Sequence, residues 1–373
     1  MRKELNDLKI LISRDTLSKT SGRKKQVFKY CLCSIFINLI TGNHLSASQE
    51  LNISIAKMVL TIHHKDKSLN IYLENFKNEV EKSFELRGFL KPYNDEKLNK
   101  IISFFRELIN KCSKETVTMI QVSEVSRIIN AKQFFNKSSV SDHHWLQFDT
   151  IKGLIPTYPE MIIFNDLKVQ WNYYVDVFNQ INNWEVTDRK SLLENITNRD
   201  NRALLYQQSA LYRQLIFLSV TYVESYLYNL YYTILNSNYL TKDKLESLNR
   251  IKKIDDTYII DKILYDLFPQ IKNSTLVLYE NYKKMLRHRD RYVHASPFKD
   301  LSTNKSQLEP LLDINNLRLF DFLQTSIDFV KIIDDNLPNT LKLLFWWYDD
   351  NIKFIKMLPL SLTNENVPKK HYY

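Results

Sequence analysis

The scarcity of glycine is the feature that most constrains what this chain can fold into. The 373 residues include four glycines (Gly22, Gly42, Gly88 and Gly153), and the last 220 residues have none. Glycine supplies the positive-φ positions of tight hairpin turns and the close backbone approach of phosphate-binding loops. The sequence also lacks the GxGxxG and GxxxxGK[ST] motifs of nucleotide-binding enzymes. We therefore predict a mostly helical, all-α protein that uses no cofactor.

Composition and charge indicate a globular chain with acidic partners. Hydrophobic residues make up 44% and charged residues 25%, which is ordinary for a soluble protein. The formal net charge of +10 favours nucleic acid as a partner, without indicating specificity. Cys31, Cys33 and Cys112 lack zinc-type spacing and resemble the reduced thiols of a cytoplasmic protein. The most hydrophobic segment, 214–235, contains Glu224 and several tyrosines, so we expect a buried helix there and no membrane span.

Hydrophobic periodicity predicts two helical halves. Residues 1–190 form the first domain and 200–358 the second, with a polar boundary at 186–204 and a frayed tail at 359–373. Residues 137–160 interrupt the helical pattern with Ser, Gly and Pro, and we expect an extended loop with a short strand. The predicted helices are 23–41, 45–62, 66–86, 94–113, 121–135, 163–185, 203–236, 241–252, 256–268, 275–295, 313–336 and 339–357.

Two candidate sites lie in the first half. Asp142, His143 and His144, with Asp149, have donor types that bind metals, but no matching ligand set stands out elsewhere, and we predict no metal. The segment 45–62 has the pattern of one limb of a DNA-binding helix-turn-helix, although the usual turn glycine is missing.

The strongest candidate is the basic stretch YKKMLRHRDRYVHASPF at 282–298. Its helix has apolar residues at Leu276, Tyr279, Leu286 and Val293, a spacing that predicts a buried stripe. A cation-rich helix end is favoured by the helix dipole, which explains the Lys and Arg residues. It does not explain Asp290, which falls beside the stripe and four residues before His294. The triplet His288-Arg289-Asp290 also matches a kinase catalytic loop, but Ala295 stands where a kinase requires Asn.

The segment RDRYVH, 289–294, resembles the R-[polar]-x-x-x-H signature of HEPN domains, helical bundles that frequently act as metal-independent ribonucleases. Asp290 satisfies the polar position. The segment TYVESYLYNLY, 221–231, resembles the earlier long helix whose acidic residue would be Glu224. The resemblance covers 203–357. It departs from the subclass with H-x-Tyr, because Ala295 and Ser296 follow His294.

The resemblance implies a mechanism residue by residue. His294 would transfer protons at the RNA 2′-OH or the leaving 5′ oxygen, and Arg289 would neutralise charge on the phosphorane. Asp290 would orient one of these two, and Glu224 would brace the arginine. Arg287 shares the helix face of His294, so which arginine is catalytic stays open. The residues expected to bind phosphate and stack on bases are Lys283, Lys284, Arg287, Arg291 and Tyr292.

The resemblance further implies a homodimer that cuts RNA as a bacterial toxin or phage-defence effector, controlled by an antitoxin or a phage-derived trigger. The first half would then sense, select or inhibit. Two alternatives stay open. One is a non-catalytic helical module that binds RNA or protein. The other is a helical regulator or scaffold whose N-terminal half binds DNA.

Overall fold

The computed structural model describes residues 2–42, 47–112, 117–136, 140–149, 152–185, 187–249, 254–293 and 309–347. Helices account for 74% of it, which confirms the predicted mostly helical fold. The chain divides into two compact units, Met1–Thr157 and Tyr158–Tyr373. Among the helices in the described ranges, none combines the length and apolar composition that crossing a membrane requires.

Unit 1 is built around one central helix. Its helices are α1 (Arg2–Leu11), α2 (Arg14–Ser18), α3 (Gly22–Ile40), α4 (Ala47–Thr61), α5 (Ser68–Leu86), α6 (Asp95–Cys112), α7 (Val122–Ser126) and α8 (Ala131–Phe134). Helix α3 is apolar on almost every side from Val27 onward, and α4, α5 and α6 pack around it. A helix without a polar face must be enclosed in this way, because exposing any side of it would leave apolar surface in water.

A three-stranded antiparallel sheet completes unit 1. Strands β1 (Thr118–Gln121), β2 (Trp145–Asp149) and β3 (Gly153–Thr157) lie in the order β1-β2-β3. Leu146 and Phe148 alternate along β2 with more exposed residues and reach the unit 1 core, as expected for a strand with one buried face. The sheet falls largely within the predicted extended segment 137–160, but it has more strands than expected.

The predicted helix 121–135 is wrong in part. The chain leaves the helical path after α7 because Asn130 N–H donates to the Gly88 carbonyl (2.8 Å) and the Ile128 carbonyl accepts from Leu90 N–H (3.0 Å). These long-range bonds replace the helical ones. The Asn130 side chain then caps α8 by accepting from Gln133 N–H.

Unit 2 is assembled on a 37-residue helix. Its elements are α9 (Pro159–Asn182), α10 (Arg189–Thr197), α11 (Arg199–Leu235), α12 (Lys242–Asn249), α13 (Asp256–Tyr258), a π-helical segment (Ile259–Leu264), α14 (Tyr265–Leu267), α15 (Pro269–Val293), α16 (Glu309–Leu312), α17 (Asn316–Asp335) and a 3₁₀ turn (Leu344–Trp346). Helix α11 packs against α9, α15 and α17. The 3₁₀ turn lies in the range where we predicted a helix over 339–357, and residues 348–357, like the tail 359–373, lie outside the described residues.

The structure divides the chain about thirty residues before the predicted boundary at 186–204. Helix α9 belongs to unit 2 because Phe164 and Trp171 enter the same core as Leu215 and Tyr222 of α11. The polar segment instead forms α10 and the start of α11, whose N-terminus is capped by the Asn198 side chain. Its polarity therefore reflects a capped helical turn rather than a linker.

The core of unit 2 buries the carboxyl groups of Glu160 and Asp334. Glu160 is fully buried, and both of its oxygens accept hydrogen bonds from Asn229 Nδ2 (3.2 and 3.0 Å). Asp334 accepts from the Tyr226 hydroxyl (3.1 Å) and from Leu343 N–H (2.7 Å). Burial raises the pKa of Glu160 to about 8, and the nearby charge of Asp334 adds to the effect. Glu160 is therefore largely protonated in the folded protein at neutral pH.

Glu160 should make unit 2 less stable as the pH rises. Its pKa is about 8 in the folded chain against 4.5 ordinarily, so stability is highest below 4.5, falls as the pH rises towards 8, and is then constant. Glu160→Gln should abolish this loss, and its melting temperature should exceed that of the wild type by more at pH 8 than at pH 5. Glu185→Gln, at an exposed position, is the matched control. A constant difference between wild type and Glu160→Gln across this range would contradict the assignment.

Gly153→Ala should destabilise unit 1 strongly. Gly153 has φ +82°, and an added Cβ would overlap the Ile40 carbonyl and lie 2.6 Å from Gly42 N, both rigid backbone atoms. The strained φ alone costs about 1–3 kcal/mol, to which the overlap adds. Gly22→Ala is the control, because Gly22 has φ +53° but open space around it. Denaturant unfolding should show the larger loss for Gly153→Ala, and equal losses would refute the close approach.

Candidate active site on helices α11 and α15

The inner face of α15 differs from the predicted stripe. Tyr279 is buried and Leu286 partly buried, but Leu276 and Val293 are 50% and 56% exposed. The residues that α15 buries are Ile271, Thr275, Tyr279, Tyr282, Met285 and Tyr292. This face is aromatic and polar because its hydroxyl groups find partners, as in the bond from Thr275 Oγ1 to the Ile271 carbonyl (2.6 Å). The same helical repeat places Arg289, between Met285 and Tyr292, on the inner side.

Arg289 forms a short ion-pair network with two carboxylates. Its Nη1 lies 3.3 Å from Glu224 Oε1 of α11, and its Nε donates to Asp290 Oδ1 at 2.8 Å. The side chains of Arg289 and Glu224 are only 23% and 26% exposed. Because a guanidinium carries five N–H groups, N–H groups remain for a further acceptor. The structure thus brings together Arg289, Glu224 and Asp290, whereas Arg287 is exposed.

The charges around Glu224 oppose one another. Burial raises the pKa of the Glu224 carboxyl above its usual range, the Arg289 guanidinium lowers it, and the carboxylates of Asp256 and Asp290 raise it further. For Arg289, burial lowers the pKa, but Glu224 and Asp290 more than offset this and leave it raised. Arg289 therefore stays cationic, while Glu224 is held less firmly in its charged form than an exposed glutamate.

Asp256 is a member of the site that sequence reasoning missed. It is 8% exposed, and its Oδ2 accepts a hydrogen bond from the Tyr282 hydroxyl at 2.6 Å. Asp256 belongs to the short α13, and only the tertiary fold brings it next to α15. The one signal in the sequence is the Asp255-Asp256 pair, which is typical of a helix start and is used as such by Asp255.

Tyr292 is buried, so the prediction that it stacks on RNA bases is wrong. It is 7% exposed, its ring packs near Phe217, and its hydroxyl shares a 2.8 Å hydrogen bond with His288 Nε2. Burial lowers the pKa of His288 to about 4, and the charge of Arg318 lowers it further. His288, the first residue of the kinase-like triplet, is thus a neutral residue that anchors the last turn of α15.

The other predicted RNA-binding residues lie nearer the surface. Lys284, Arg287 and Arg291 are exposed. Lys283 is partly buried, with Nζ 4.6 Å from the centre of the Tyr279 ring and an ion pair to Glu280. Three of these cations are therefore accessible to phosphate, and Lys283 is partly engaged by its own helix.

His294 lies outside the described residues, which end in this part of the chain at Val293. Its position in the sequence is one residue beyond α15 and two beyond the buried Tyr292. The structure therefore describes the arginine and the acidic members of the predicted site.

Two of the candidate metal-binding residues of unit 1, Asp142 and His144, stabilise the loop before β2. His144 is 3% exposed, and its Nδ1 accepts from Ser141 N–H (3.1 Å), while Asp142 Oδ1 accepts from the Ser126 hydroxyl (2.8 Å). Burial lowers the pKa of His144 to about 3. Within the described ranges, no group of three or more His, Cys, Asp or Glu side chains is placed to hold a metal ion.

Comparison of the chain with protein-family models, with curated proteins and with solved structures gave no match. The resemblance of residues 289–294 to the HEPN signature therefore stays a prediction. What bears on function is the placement of the side chains: a long helix supplies Glu224, and a second long helix supplies the arginine that it contacts.

Tyr292→Ala should destabilise unit 2 by about 3–5 kcal/mol, because truncating a buried aromatic ring leaves a cavity. Arg291→Ala, one position earlier and exposed, should change stability by less than about 0.5 kcal/mol. Chemical denaturation monitored by circular dichroism measures both. Similar stability of the two variants would mean that Tyr292 is on the surface and available for stacking.

Proposed function

We propose that unit 2 is a metal-independent endoribonuclease of the HEPN type. The observation that carries the proposal is the fixed, partly buried Arg289, held between Glu224 Oε1 and Asp290 Oδ1 and five residues before His294 in the sequence. An arginine presented in this way is suited to a phosphate undergoing reaction, because its orientation is set before the substrate arrives.

In the proposed reaction the RNA 2′-oxygen attacks the adjacent phosphorus and the bond to the 5′ oxygen breaks. A 2′,3′-cyclic phosphate and a 5′-hydroxyl end result. One proton leaves the 2′-OH and one reaches the leaving 5′ oxygen. His294 carries one of these two transfers, since imidazole titrates near neutral pH, and solvent water carries the other. Arg289 stabilises the added negative charge on the phosphorane oxygens. Glu224 braces Arg289 from α11, and Asp290 orients Arg289 from α15, the helix that carries both residues.

The surface of α15 supports an RNA partner. Lys284, Arg287 and Arg291 are exposed cations on the helix that carries Arg289, and the chain has a net charge of +10. Cations of this kind bind backbone phosphates without regard to sequence. Arg287 is then a phosphate-binding residue rather than the catalytic arginine, because it lacks the buried setting of Arg289.

The biological role within this proposal is that of a cytoplasmic toxin or phage-defence effector that acts as a homodimer. An antitoxin or a phage-derived trigger would control it, and unit 1 would sense or select. These assignments rest on the resemblance of residues 289–294 and 221–231 to HEPN domains.

The second candidate is a non-catalytic binding module. The observation that favours it is the excess of acid around Arg289, which contacts two carboxylates while a third, Asp256, is near enough to affect Glu224. Because acidic groups outnumber the arginine here, the site binds a phosphate more weakly and attracts a basic group of a protein partner.

The decisive measurement is cleavage of single-stranded RNA in EDTA by wild type and three variants. Arg289→Ala and His294→Ala should each lose about 10²–10³-fold in rate, the usual cost of removing a group that stabilises the transition state. Arg287→Ala is the matched control. It should cut at nearly the wild-type rate at saturating RNA, with binding that depends less on salt.

Equal cleavage by wild type and Arg289→Ala would exclude the proposed site. If the wild type bound RNA or a protein partner without cutting RNA, the binding module would be the correct function.

A further inference from the structure

Helix α11 repeats one spacing three times: a charged residue is followed four positions later by an aromatic residue, and successive pairs begin eleven positions apart. The three pairs are Arg202 with Tyr206, Arg213 with Phe217, and Glu224 with Tyr228. Eleven residues make about three helical turns, so the pairs follow one another along one side of the helix. Together they form the α11 row, which is about 39 Å long.

The side chains of the α11 row reach the surface. Tyr206 is 65% and Tyr228 44% exposed, and Arg202 is exposed as well. Arg213 and Phe217 are half-buried. The row therefore runs along the margin between the enclosed and the open side of α11, where a ligand can contact it.

Each pair of the row has a guanidinium group. Arg202 Nη2 donates to the hydroxyl group of its own pair at 3.4 Å, and Arg213 Nη1 donates to the Leu311 carbonyl at 2.9 Å. In the third pair Glu224 stands at the arginine position and holds the guanidinium group of Arg289 from α15 at 3.3 Å. Because a guanidinium carries five N–H groups, each of the three keeps donors for a phosphate. The arginine of the candidate site thus completes the row.

The aromatic members of the row are held by neighbouring elements. The ring centre of Phe217 lies 6.3 Å from that of Tyr292 in α15, and the Tyr228 hydroxyl donates to the Ile254 carbonyl at 3.1 Å. These contacts orient the two rings while part of each side chain stays exposed. A ring that is fixed at the surface stacks with a nucleic-acid base whatever the sequence, because every base has a π-face.

We propose that the α11 row binds single-stranded RNA, with backbone phosphates on its three guanidinium groups and bases stacked on its three rings. The inference rests on the proposed ribonuclease function and names the form of its substrate. Guanidinium groups at a regular distance match the regular charge of a nucleic-acid backbone better than that of a protein chain.

A single strand suits the row better than a duplex does. A flexible strand can turn both its phosphates and its unstacked bases towards one surface, whereas the bases of a duplex are stacked on each other. Single-strand sites of this kind hold about 4–16 nucleotides. The backbone is cut at Arg289, near one end of the row, so the bound RNA extends from there towards Arg202.

The first test measures binding of RNA that carries methyl groups on its ribose 2′ oxygens, because such RNA lacks the nucleophile and cannot be cut. Single strands of about 4, 8 and 12 nucleotides cover the size range of single-strand sites. Fluorescence anisotropy with the full chain should show affinity that increases with length, and a methylated duplex should bind roughly tenfold more weakly than the longest single strand. Duplex binding as tight as single-strand binding would overturn the inference.

Tyr206→Ala should weaken binding of the longest methylated single strand roughly tenfold, as expected when one base loses its stacking partner. Tyr173→Ala is the matched control, because Tyr173 is 55% exposed on α9 and lies outside the row. Thermal unfolding verifies that both variants are folded. In RNA cleavage Tyr206→Ala should raise KM and leave kcat unchanged, since it lies about 27 Å along α11 from Glu224. Equal binding by the two variants would overturn the stacking role.

Arg202→Gln removes one guanidinium group from the row. The slope of the logarithm of affinity against the logarithm of salt concentration should become shallower by about 0.7, the value for one phosphate contact on a single strand. Lys272→Gln is the control, because it removes an exposed cation near the start of α15, the end opposite to Arg289. Its slope should equal that of the wild type. The same slope in both variants would contradict a phosphate contact at Arg202.

Binding and cleavage can fail separately. If the wild type binds the methylated single strand through the row but does not cut unmodified RNA, the ribonuclease function is wrong and the binding site is correct. If the wild type cuts RNA while Tyr206→Ala and Arg202→Gln bind it as their controls do, the row is wrong and the ribonuclease function is unaffected. Binding of a protein partner without binding of the methylated single strand would also overturn the row.

Discussion

The need to bury α11 on most of its circumference determines the architecture of unit 2. Its side chains are apolar or aromatic in nearly every direction from Leu211 to Ile234. Exposing any side would cost about 25 cal/mol per Å² of apolar surface, so α9, α15 and α17 enclose the helix. Glu224 lies on this central helix at the edge of the enclosed part, and the position of Arg289 follows from the packing of α15 against it.

Tyrosine is the residue that allows such a core to carry charged groups. Tyr226, Tyr279 and Tyr282 bury their rings and donate their hydroxyls to Asp334, Asp261 and Asp256, so the buried carboxyl groups of Asp334 and Asp256 each have a donor. A carboxylate without such a donor would be costly in this environment. Tyr279 and Tyr282 therefore hold acidic groups beside α15, the helix that carries Arg289.

The sequence predicted the helices and the pairing of Arg289 with Glu224 better than it predicted burial. The aliphatic pattern predicts an inner face of α15 through Leu276 and Val293, but both are exposed because tyrosines fill that face. Composition likewise suggested a linker at 186–204, where the chain forms capped helices, since polarity cannot distinguish a linker from an N-cap. Asp256 could not be found from sequence spacing, because the fold alone brings α13 to α15.

The π-helical segment Ile259–Leu264 begins three residues after Asp256 and contains Asp261, and these two aspartates meet α15. A π-turn corresponds to one residue inserted into an α-helix, which rotates everything before it relative to everything after it. The π-turn therefore sets the rotation of Asp261 relative to Asp256, and with it the register in which the two aspartates meet Tyr279 and Tyr282. Losing one residue from Ile259–Leu264 in the course of evolution would leave the apolar composition almost intact and would still uncouple one tyrosine from its aspartate. In this segment the number of residues, and not only their type, determines which tyrosine of α15 meets which aspartate.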